Sequence, residues 1–550
     1  MRIALAQTNP VVGDIPYNRD RIAEAIARAG EAGADLVVFS ELSVVGYPPR
    51  DLVGKEQFVA DSVAAVEGLA GHCTSVAALV GFVRPAPRQA GPALVNAAAL
   101  LADGSIQRVH AKRLLPSYDV FDETRYFQPG HDSGCFEVGG VRLGLTICED
   151  LWDAAALGRD LYGDDPVGRL AGEKVDVIVN MAASPFETGK TALRDGVFER
   201  QAARAGAPII YVNQVGGNDA LIFDGGSCVV AADGTLLARA RSFEEDLLIV
   251  DVGPEARPQR CEPPGEPLER LSAALKLGLR DYVTKCGFTS VVLGLSGGID
   301  SGVTATLAAD ALGPDNVTAL AMPGRYSSDH SLSDAEALAN NLGLRMPTVP
   351  IEPLHAAFES ALGGILAGGN ADLADENVQA RIRGMVVMAV SNAFGKVALA
   401  TGNKSELSVG YCTLYGDMAG GLAPIGDVLK TKVFALARQL NAEAGRPRIP
   451  ERMLTKPPSA ELKPDQTDQD ALPPYELLDA ILARYIEGDQ TAEMIVAEGF
   501  DASVVHRVVG MVDGAEHKRR QAAVALKVSG RAFGSGRRMP IAQRYQGTKG

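Results

Sequence analysis

The sequence predicts an α/β protein of two domains. Three observations carry that class. The chain has 550 residues, more than one hydrophobic core organises, and two domains of roughly 250 residues are the natural division. Residues 1–252 hold many short apolar runs with few helical stretches between them. From Leu268 onward, strand-like and helix-like segments alternate in the rhythm of a parallel sheet with helices on both faces.

In the first domain the expected strands are Ile3–Gln7, Leu36–Ser40, Ala78–Val83, Ala97–Leu101, Val141–Ile147, Val175–Asn180, Ile209–Asn213, Cys228–Ala231 and Leu247–Asp251. Several are unbroken runs of Val, Ile and Leu, the mark of strands buried on both faces. Asn18–Ala32 and Arg194–Ala205 carry helical spacing. Residues 253–267 hold Pro254, Pro258, Pro263, Pro264 and Pro267. Proline at that density stops helix and central strand alike, which predicts a linker. The second domain, 268–550, opens with a helix over Leu268–Cys286. Strand Ser290–Leu295, helix Ser301–Leu312, strand Val317–Met322, helix Ser331–Leu342, strand Met346–Ile351 and a further helix follow. The polar stretches Pro323–Ser331 and Lys456–Pro473 are expected to be lids.

Composition narrows the function classes. A net charge of −15 repels phosphate polymers and anionic headgroups, so neither nucleic acid nor a membrane surface is an expected partner. No run of about 18 apolar residues is present. The opening Met1-Arg2-Ile3-Ala4-Leu5-Ala6 lacks a cleavable leader's pattern, and a cytoplasmic protein is expected. Seven cysteines are scattered without zinc-type spacing, which speaks against a disulfide framework.

The sharpest motif is Gly294-Leu295-Ser296-Gly297-Gly298-Ile299-Asp300-Ser301, between a predicted strand and a predicted helix. Glycines let backbone approach a phosphate, helix-start amides point at the anion, and Ser296 and Ser301 add hydroxyl donors. Asp300 can hold a magnesium ion. No Gly-Lys-Ser/Thr follows, so this is not a Walker loop. The string resembles the pyrophosphate loop of the N-type ATP pyrophosphatases, which cleave ATP to AMP and pyrophosphate. Asn377-Val378-Gln379-Ala380-Arg381-Ile382-Arg383, Thr401-Gly402-Asn403-Lys404-Ser405-Glu406, Gly416-Asp417 and Pro424–Lys432 follow in order. Within that superfamily the series resembles the NAD synthetases. The resemblance implies a doubly wound parallel α/β domain of the adenine nucleotide α-hydrolase type. It implies that Asp300 and Glu406 hold Mg2+ and that Thr401, Lys430 and Ser459 contact ATP. It also implies that Asn377, Arg381, Glu406 and Lys518 meet deamido-NAD. Leu414 and Gly421 stand where the ammonia-dependent form carries a lysine and an aspartate.

Gly144-Leu145-Thr146-Ile147-Cys148-Glu149-Asp150 places a cysteine at the C-terminal end of a buried strand. A cysteine nucleophile needs a base and an oxyanion partner. Phe39-Ser40-Glu41-Leu42 supplies a carboxylate after a strand, and Lys112-Arg113-Leu114-Leu115-Pro116 supplies a lysine. In this order, Glu41, Lys112 and Cys148, the domain resembles the nitrilase family. That implies a four-layer α-β-β-α sandwich, with Cys148 as nucleophile and Glu41 as general base and acid. Lys112 would stabilise the oxyanion and keep the thiol acidic, and Glu123 would orient Lys112 or a water. Tyr118, Ser184 and Lys190 match glutamine-binding positions of the glutaminase branch, Lys190 standing where an arginine is frequent.

Together the two resemblances imply amidation of deamido-NAD with ATP and glutamine as co-substrates. A homo-oligomer, at least a dimer, is implied through the second domain. Three alternatives are weighed against it: another glutamine-dependent ligase of the superfamily, a first domain that only scaffolds an enzyme fed by free ammonia, and, least favoured, a pure adenine-nucleotide binding module, which would not need two metal carboxylates.

Overall fold

The computed structural model describes residues 1–87, 91–253, 256–367, 369–464 and 466–544. Pro254 and Glu255 of the expected linker and Asp465 of the second expected lid lie outside the described residues. The chain divides into two compact units, Met1–Glu266 and Pro267–Gly550. No helix among the described residues is long and apolar enough to cross a membrane. All seven cysteines are free thiols.

The first unit is built on two six-stranded sheets. One contains β1 (Arg2–Gln7), β2 (Leu36–Val38), β3 (Ala77–Pro85), β4 (Leu94–Ala102) and β5 (Ser105–Ala111), with β14 (Asp246–Asp251) beside β1. The other contains β6 (Cys135–Val138), β7 (Val141–Ile147), β8 (Val177–Ala182), β9 (Ile209–Asn213), β12 (Cys228–Val230) and β13 (Leu236–Arg239). A hairpin of β10 (Val215–Asn218) and β11 (Leu221–Asp224) stands apart. The period of two sorts the side chains. Ile3, Leu5, Leu36, Val38, Leu79 and Leu100 join the second sheet's Leu143, Leu145, Ile178 and Val179 in one core. Ala4, Ala6, Val37, Val80 and Leu101 face the other way, against α1 (Ile15–Glu31) and α2 (Glu56–Ala70). On the second sheet's outer face lie α3 (Ala154–Leu157), α4 (Pro166–Gly172) and α5 (Lys190–Ala205). Helix, sheet, sheet and helix make the four layers.

The elements missing from the sequence reading are the mixed ones. β5 reads Ser-Ile-Gln-Arg-Val-His-Ala and is mostly exposed, so it presents no apolar run. β10 carries two glycines. The segment 253–267 is not wholly a free spacer. Leu237 O accepts from Gln259 N at 2.7 Å, and Arg239 exchanges backbone bonds with Arg260 and Glu262 at 2.9 and 3.1 Å, extending the sheet edge past β13.

The second unit begins with α6 (Pro267–Lys285). Its sheet centre is β15 (Val291–Gly294), parallel to β16 (Val317–Leu320) on one side and to β17 (Val397–Ala398) on the other. A parallel bridge from Leu399 to Leu422 continues the order to β18 (Leu422–Ala423) and β19 (Val524–Ala525). The chain winds outward from β15 to β16 and returns to β15's other side at β17. That reversal creates a crevice at the carboxyl ends of β15 and β17. Around the sheet lie α7 (Ile299–Leu312), α8 (Asp329–Leu342), α9 (Glu352–Leu366), α10 (Ala371–Phe394), α11 (Lys404–Val409) and α12 (Lys430–Glu443). The strand expected over Met346–Ile351 forms only single bridges, at Arg345 and Thr348. Pro347 and Pro350 remove two of the N–H donors a ladder requires.

Candidate functional site

In the first unit Cys148 directly follows β7 and opens a 3-10 turn over Cys148–Leu151. Its φ of 47° lies in the left-handed region, a strained position for a residue with a Cβ. Asp150 holds the turn. Its carboxylate accepts from Ile147 N at 2.9 Å, from Arg113 N at 3.0 Å and from Leu114 N at 2.7 Å. One buried side chain thus ties the cysteine turn to the strand end that carries Lys112.

Lys112 is fully buried and bridges two carboxylates, Glu41 Oε1 at 2.7 Å and Glu123 Oε1 at 2.8 Å. Asn96 Nδ2 and Ala183 N donate to Glu41 at 2.7 and 3.1 Å, and the Tyr47 hydroxyl donates to Glu123 at 2.8 Å. Burial pulls the Lys112 ammonium down, but the charges of Glu123 and Glu41 hold it well above its ordinary value. Burial pushes the Glu123 carboxyl up to about 7, against the pull of Lys112. Cys148 is pushed well above the ordinary thiol range, by burial first and by the Glu41 charge second. Lys112 lowers the thiol, but burial and the Glu41 charge outweigh it. A cysteine nucleophile held this way needs a base to take its proton.

Of the expected glutamine contacts, Tyr118 donates from its hydroxyl to Glu149 Oε1 at 2.9 Å. Tyr162 donates to the same oxygen at 2.7 Å. Lys190 donates to Pro185 O at 3.1 Å, lies 5.6 Å from the Trp152 ring centroid and acts electrostatically on Glu149. Ser184 is buried and exchanges backbone hydrogen bonds with the Asn213 amide at 2.9 and 3.3 Å. Sequence reasoning missed Tyr47, Asn96, Glu149 and Tyr162. Only Glu149, next to the cysteine, carried a signal. The others arrive from separate elements.

In the second unit the expected phosphate loop spans the end of β15 and the start of α7. Ser296 N donates to Ser301 Oγ at 3.3 Å, and Gly298 N donates to Ser296 Oγ at 3.2 Å. Gly297 has φ 78°, and a Cβ there would stand 2.1 Å from Ser331 O, so only glycine fits. Leu295 N is engaged with Leu320 O, while Gly294 and Ile299 flank the turn. Asp300, in the first turn of α7, accepts from Asn403 Nδ2 at 2.9 Å and from Lys430 Nζ at 2.5 Å. Lys430 also donates to Glu406 Oε1 at 3.0 Å. Burial, together with the Asp300 charge, pushes Glu406 up to about 7 against the pull of Lys430. Lys430 stays well above its ordinary value, because Asp300 and Glu406 outweigh the burial. Thr401 follows β17 and is half-buried.

The remaining candidates fall into other neighbourhoods. Ser459 is exposed, and its hydroxyl accepts from Glu461 N at 3.1 Å. The loop over 410–417 receives three of the four expected dinucleotide contacts. Asn377 Oδ1 accepts from Thr413 Oγ1 at 2.8 Å, Arg381 Nε donates to Leu414 O at 3.2 Å, and Lys518 Nζ donates to Gly410 O and Cys412 O at 2.7 and 2.9 Å. The two expected lids are joined. Glu461 accepts from the Ser328 and Ser331 hydroxyls at 2.9 and 2.6 Å.

Comparison with known proteins agrees with both halves. A carbon-nitrogen hydrolase family model matches residues 2–259, and an NAD synthase family model matches residues 271–522. A glutamine-dependent NAD(+) synthetase of Synechocystis is 49% identical, covering 99% of this chain and 99% of its own. One from Thermotoga maritima is 42% identical, again covering 99% of each. The solved structure of a glutamine-dependent NAD+ synthetase from Acinetobacter baumannii, in complex with adenosine diphosphate, is 40% identical with a TM-score of 0.78, covering 98% of both chains.

Proposed function

We propose a division of labour between named residues of this chain, which belongs to the glutamine-dependent NAD(+) synthetase family. It is a ligase that makes NAD with glutamine as nitrogen donor. The residue roles rest most heavily on one observation, the buried Lys112 held between Glu41 and Glu123 beside Cys148.

In the first unit Glu41 takes the Cys148 proton, and Sγ attacks the carboxamide carbon of glutamine. The Lys112 ammonium offsets the oxyanion of the tetrahedral adduct. Glu41 returns the proton to the leaving nitrogen, ammonia departs, and Glu41 then activates the water that hydrolyses the thioester to glutamate. Glu123 and Asn96 are positioning residues that fix Lys112 and Glu41. Glu149, held by Tyr118 and Tyr162, is suited to the α-ammonium of glutamine, and Lys190 to its α-carboxylate. A lysine there lacks the planar fork of arginine.

In the second unit the loop Gly294–Ser301 cradles the ATP phosphates while the nicotinate carboxylate of deamido-NAD attacks the α-phosphate. Pyrophosphate leaves, and ammonia then displaces AMP to form the amide. Thr401 and Ser459 complete the nucleotide contacts, and Asn377, Arg381 and Lys518 shape the dinucleotide side around the 410–417 loop. Asp300 and Glu406 fit a magnesium ion. They are hard oxygen donors, partly open, already bridged by one cation, and Glu406 is pushed upward by burial and by the Asp300 charge. Bound there, the ion would supply charge neutralisation for the departing pyrophosphate. We place the enzyme in the cytoplasm, self-associated through the second unit. The side chains of Ile365, Leu373, Met385 and Phe394 on α9 and α10 are exposed and apolar, which suits a partner surface.

The test is NAD formation from deamido-NAD and ATP, with glutamine or ammonium as donor, in wild type and Cys148→Ala. Loss of the glutamine reaction with the ammonium reaction kept supports the reading. Full glutamine use by the variant overturns the nucleophile.

A further inference from the structure

The second unit holds a group of side chains that neither reaction uses. His355 and Glu359 stand one helical turn apart on α9, so both project from the same face. Asp375, from the start of α10, meets them. His355 Nε2 lies 2.6 Å from Asp375 Oδ1, and one ligand atom from each of the three residues falls within 4.8 Å of the others. His355 is 1% exposed, although it flanks a cavity of about 710 Å³ lined also by Glu359, Asp375 and Arg325. A second observation points to a missing donor. Gln379, fully buried one turn beyond Asp375, gives its Nε2 to Asp375 Oδ2 at 3.2 Å and to Leu462 O at 3.1 Å. Its Oε1 has no hydrogen-bond partner. Flipping the amide would turn that oxygen toward a carboxylate and a carbonyl, so the orientation is fixed and Oε1 meets no donor from the described residues.

We infer that His355, Glu359 and Asp375 form a binding site for a divalent transition-metal ion of the zinc class, separate from the Asp300 and Glu406 pair. An imidazole with two carboxylates suits zinc, cobalt or manganese over magnesium or calcium, which prefer all-oxygen shells. Bonds of about 2.0–2.1 Å set tetrahedral ligand atoms about 3.3 Å apart. His355 and Asp375 would part slightly and Glu359 would close in, movements of side-chain scale. Three protein ligands leave a fourth position for water, which could donate to Gln379 Oε1. Arg325 donates to both oxygens of Glu359, at 2.9 and 2.8 Å, and would orient that ligand from outside. The ion would pin α9 to α10.

The probe is Co2+ added to the metal-stripped full chain, with excess Mg2+ present to occupy all-oxygen sites. The expected result is one Co2+ per chain with a visible absorption band of a nitrogen–oxygen site. His355→Gln and Glu359→Gln should each weaken that equivalent at least tenfold, while glutamine hydrolysis at Cys148 and the unfolding midpoint in metal-free buffer stay near wild type. Gln379→Leu should weaken it less. The inference fails if wild type takes up no Co2+, which would leave the cluster an ion-pair clasp between two helices. It fails equally if His355→Gln binds cobalt with unchanged stoichiometry and spectrum.

Discussion

Each unit buries a lysine between two carboxylates, and the two triads differ in how much they leave open. Around Lys112, the lysine and Glu41 side chains are 0% exposed and Glu123 is 5% exposed. Asn96 and Tyr47 donate to the same carboxylate oxygens that Lys112 engages, and Ala183 N takes the second oxygen of Glu41. Around Lys430, Asp300 and Glu406 keep 18% and 17% exposure, and Asn403 adds a neutral hydrogen bond to Asp300. In the proposed reaction, a neutral amide is what enters beside the first triad. The second is a negative pair with one cation, at a sheet crevice beside a phosphate loop, and more charge must arrive before it works. Under the proposed roles, similar composition serves opposite ends, covalent catalysis in a buried pocket and electrostatic assembly around a polyanion.

The sharpest way to break that comparison is to remove each lysine. Lys112→Met should lower glutamine-dependent NAD formation by about 10³-fold or more while sparing the ammonium reaction. It should also cost about 3–5 kcal/mol of stability, because two buried carboxylates lose their cation. Lys430→Met should depress NAD formation with both donors and cost less stability, since water reaches Asp300 and Glu406. Equal losses of stability in denaturant titrations would erase the distinction. Asp300→Asn comes next. NAD formation should drop by about 10²-fold with either donor, while glutamine hydrolysis continues.

The pH behaviour separates the triads further. Glu123 and Glu406 are both raised to about 7 from the ordinary 4.5. A carboxyl raised in the fold stabilises it fully below about 4.5 and loses that contribution as pH climbs through 7. Stability measured from pH 5 to 8 should therefore fall less steeply in Glu123→Gln, the difference from wild type amounting to about 1 kcal/mol or more across that range. At Glu406 a divalent cation competes with the proton. Mg2+ binding in the presence of ATP should strengthen as pH rises to 7 and level off above it, with proton release detectable by calorimetry in two buffers. A flat profile would detach Glu406 from the metal. The smallest effect belongs to Ser459→Ala. Its hydroxyl is exposed, and a change of about threefold or less in the KM for ATP is expected, read from initial rates.

The Gly294–Ser301 turn was legible in sequence because all its geometry is local. Gly297 must approach Ser331 O, Ser296 and Ser301 brace one turn, and Asp300 opens α7 within the same few residues. The candidate nucleophile Cys148 was legible through its strand end and its Glu149-Asp150 neighbours. The partners that make each centre work were not. Tyr47, Asn96 and Tyr162 reach their carboxylates across 76, 55 and 13 residues, and nothing in their own segments sets them apart. Asp150 looked like part of a motif, but its role as a brace between the cysteine turn and the Lys112 strand depends on where Arg113 and Leu114 arrive.

The order of Glu41, Lys112 and Cys148, the apolar runs that become β7 to β9 and the strand–loop–helix at Gly294–Ser301 were settled along the chain, since each rests on local periodicity or turn chemistry. What only folding decided is electrostatic. The upward push on the Cys148 thiol comes from burial and the Glu41 charge, acting against Lys112. The sharing of one ammonium by Asp300 and Glu406 reflects where α12 delivers Lys430. Charge interactions depend on distance and dielectric, and neither exists until strands and helices far apart in sequence have packed.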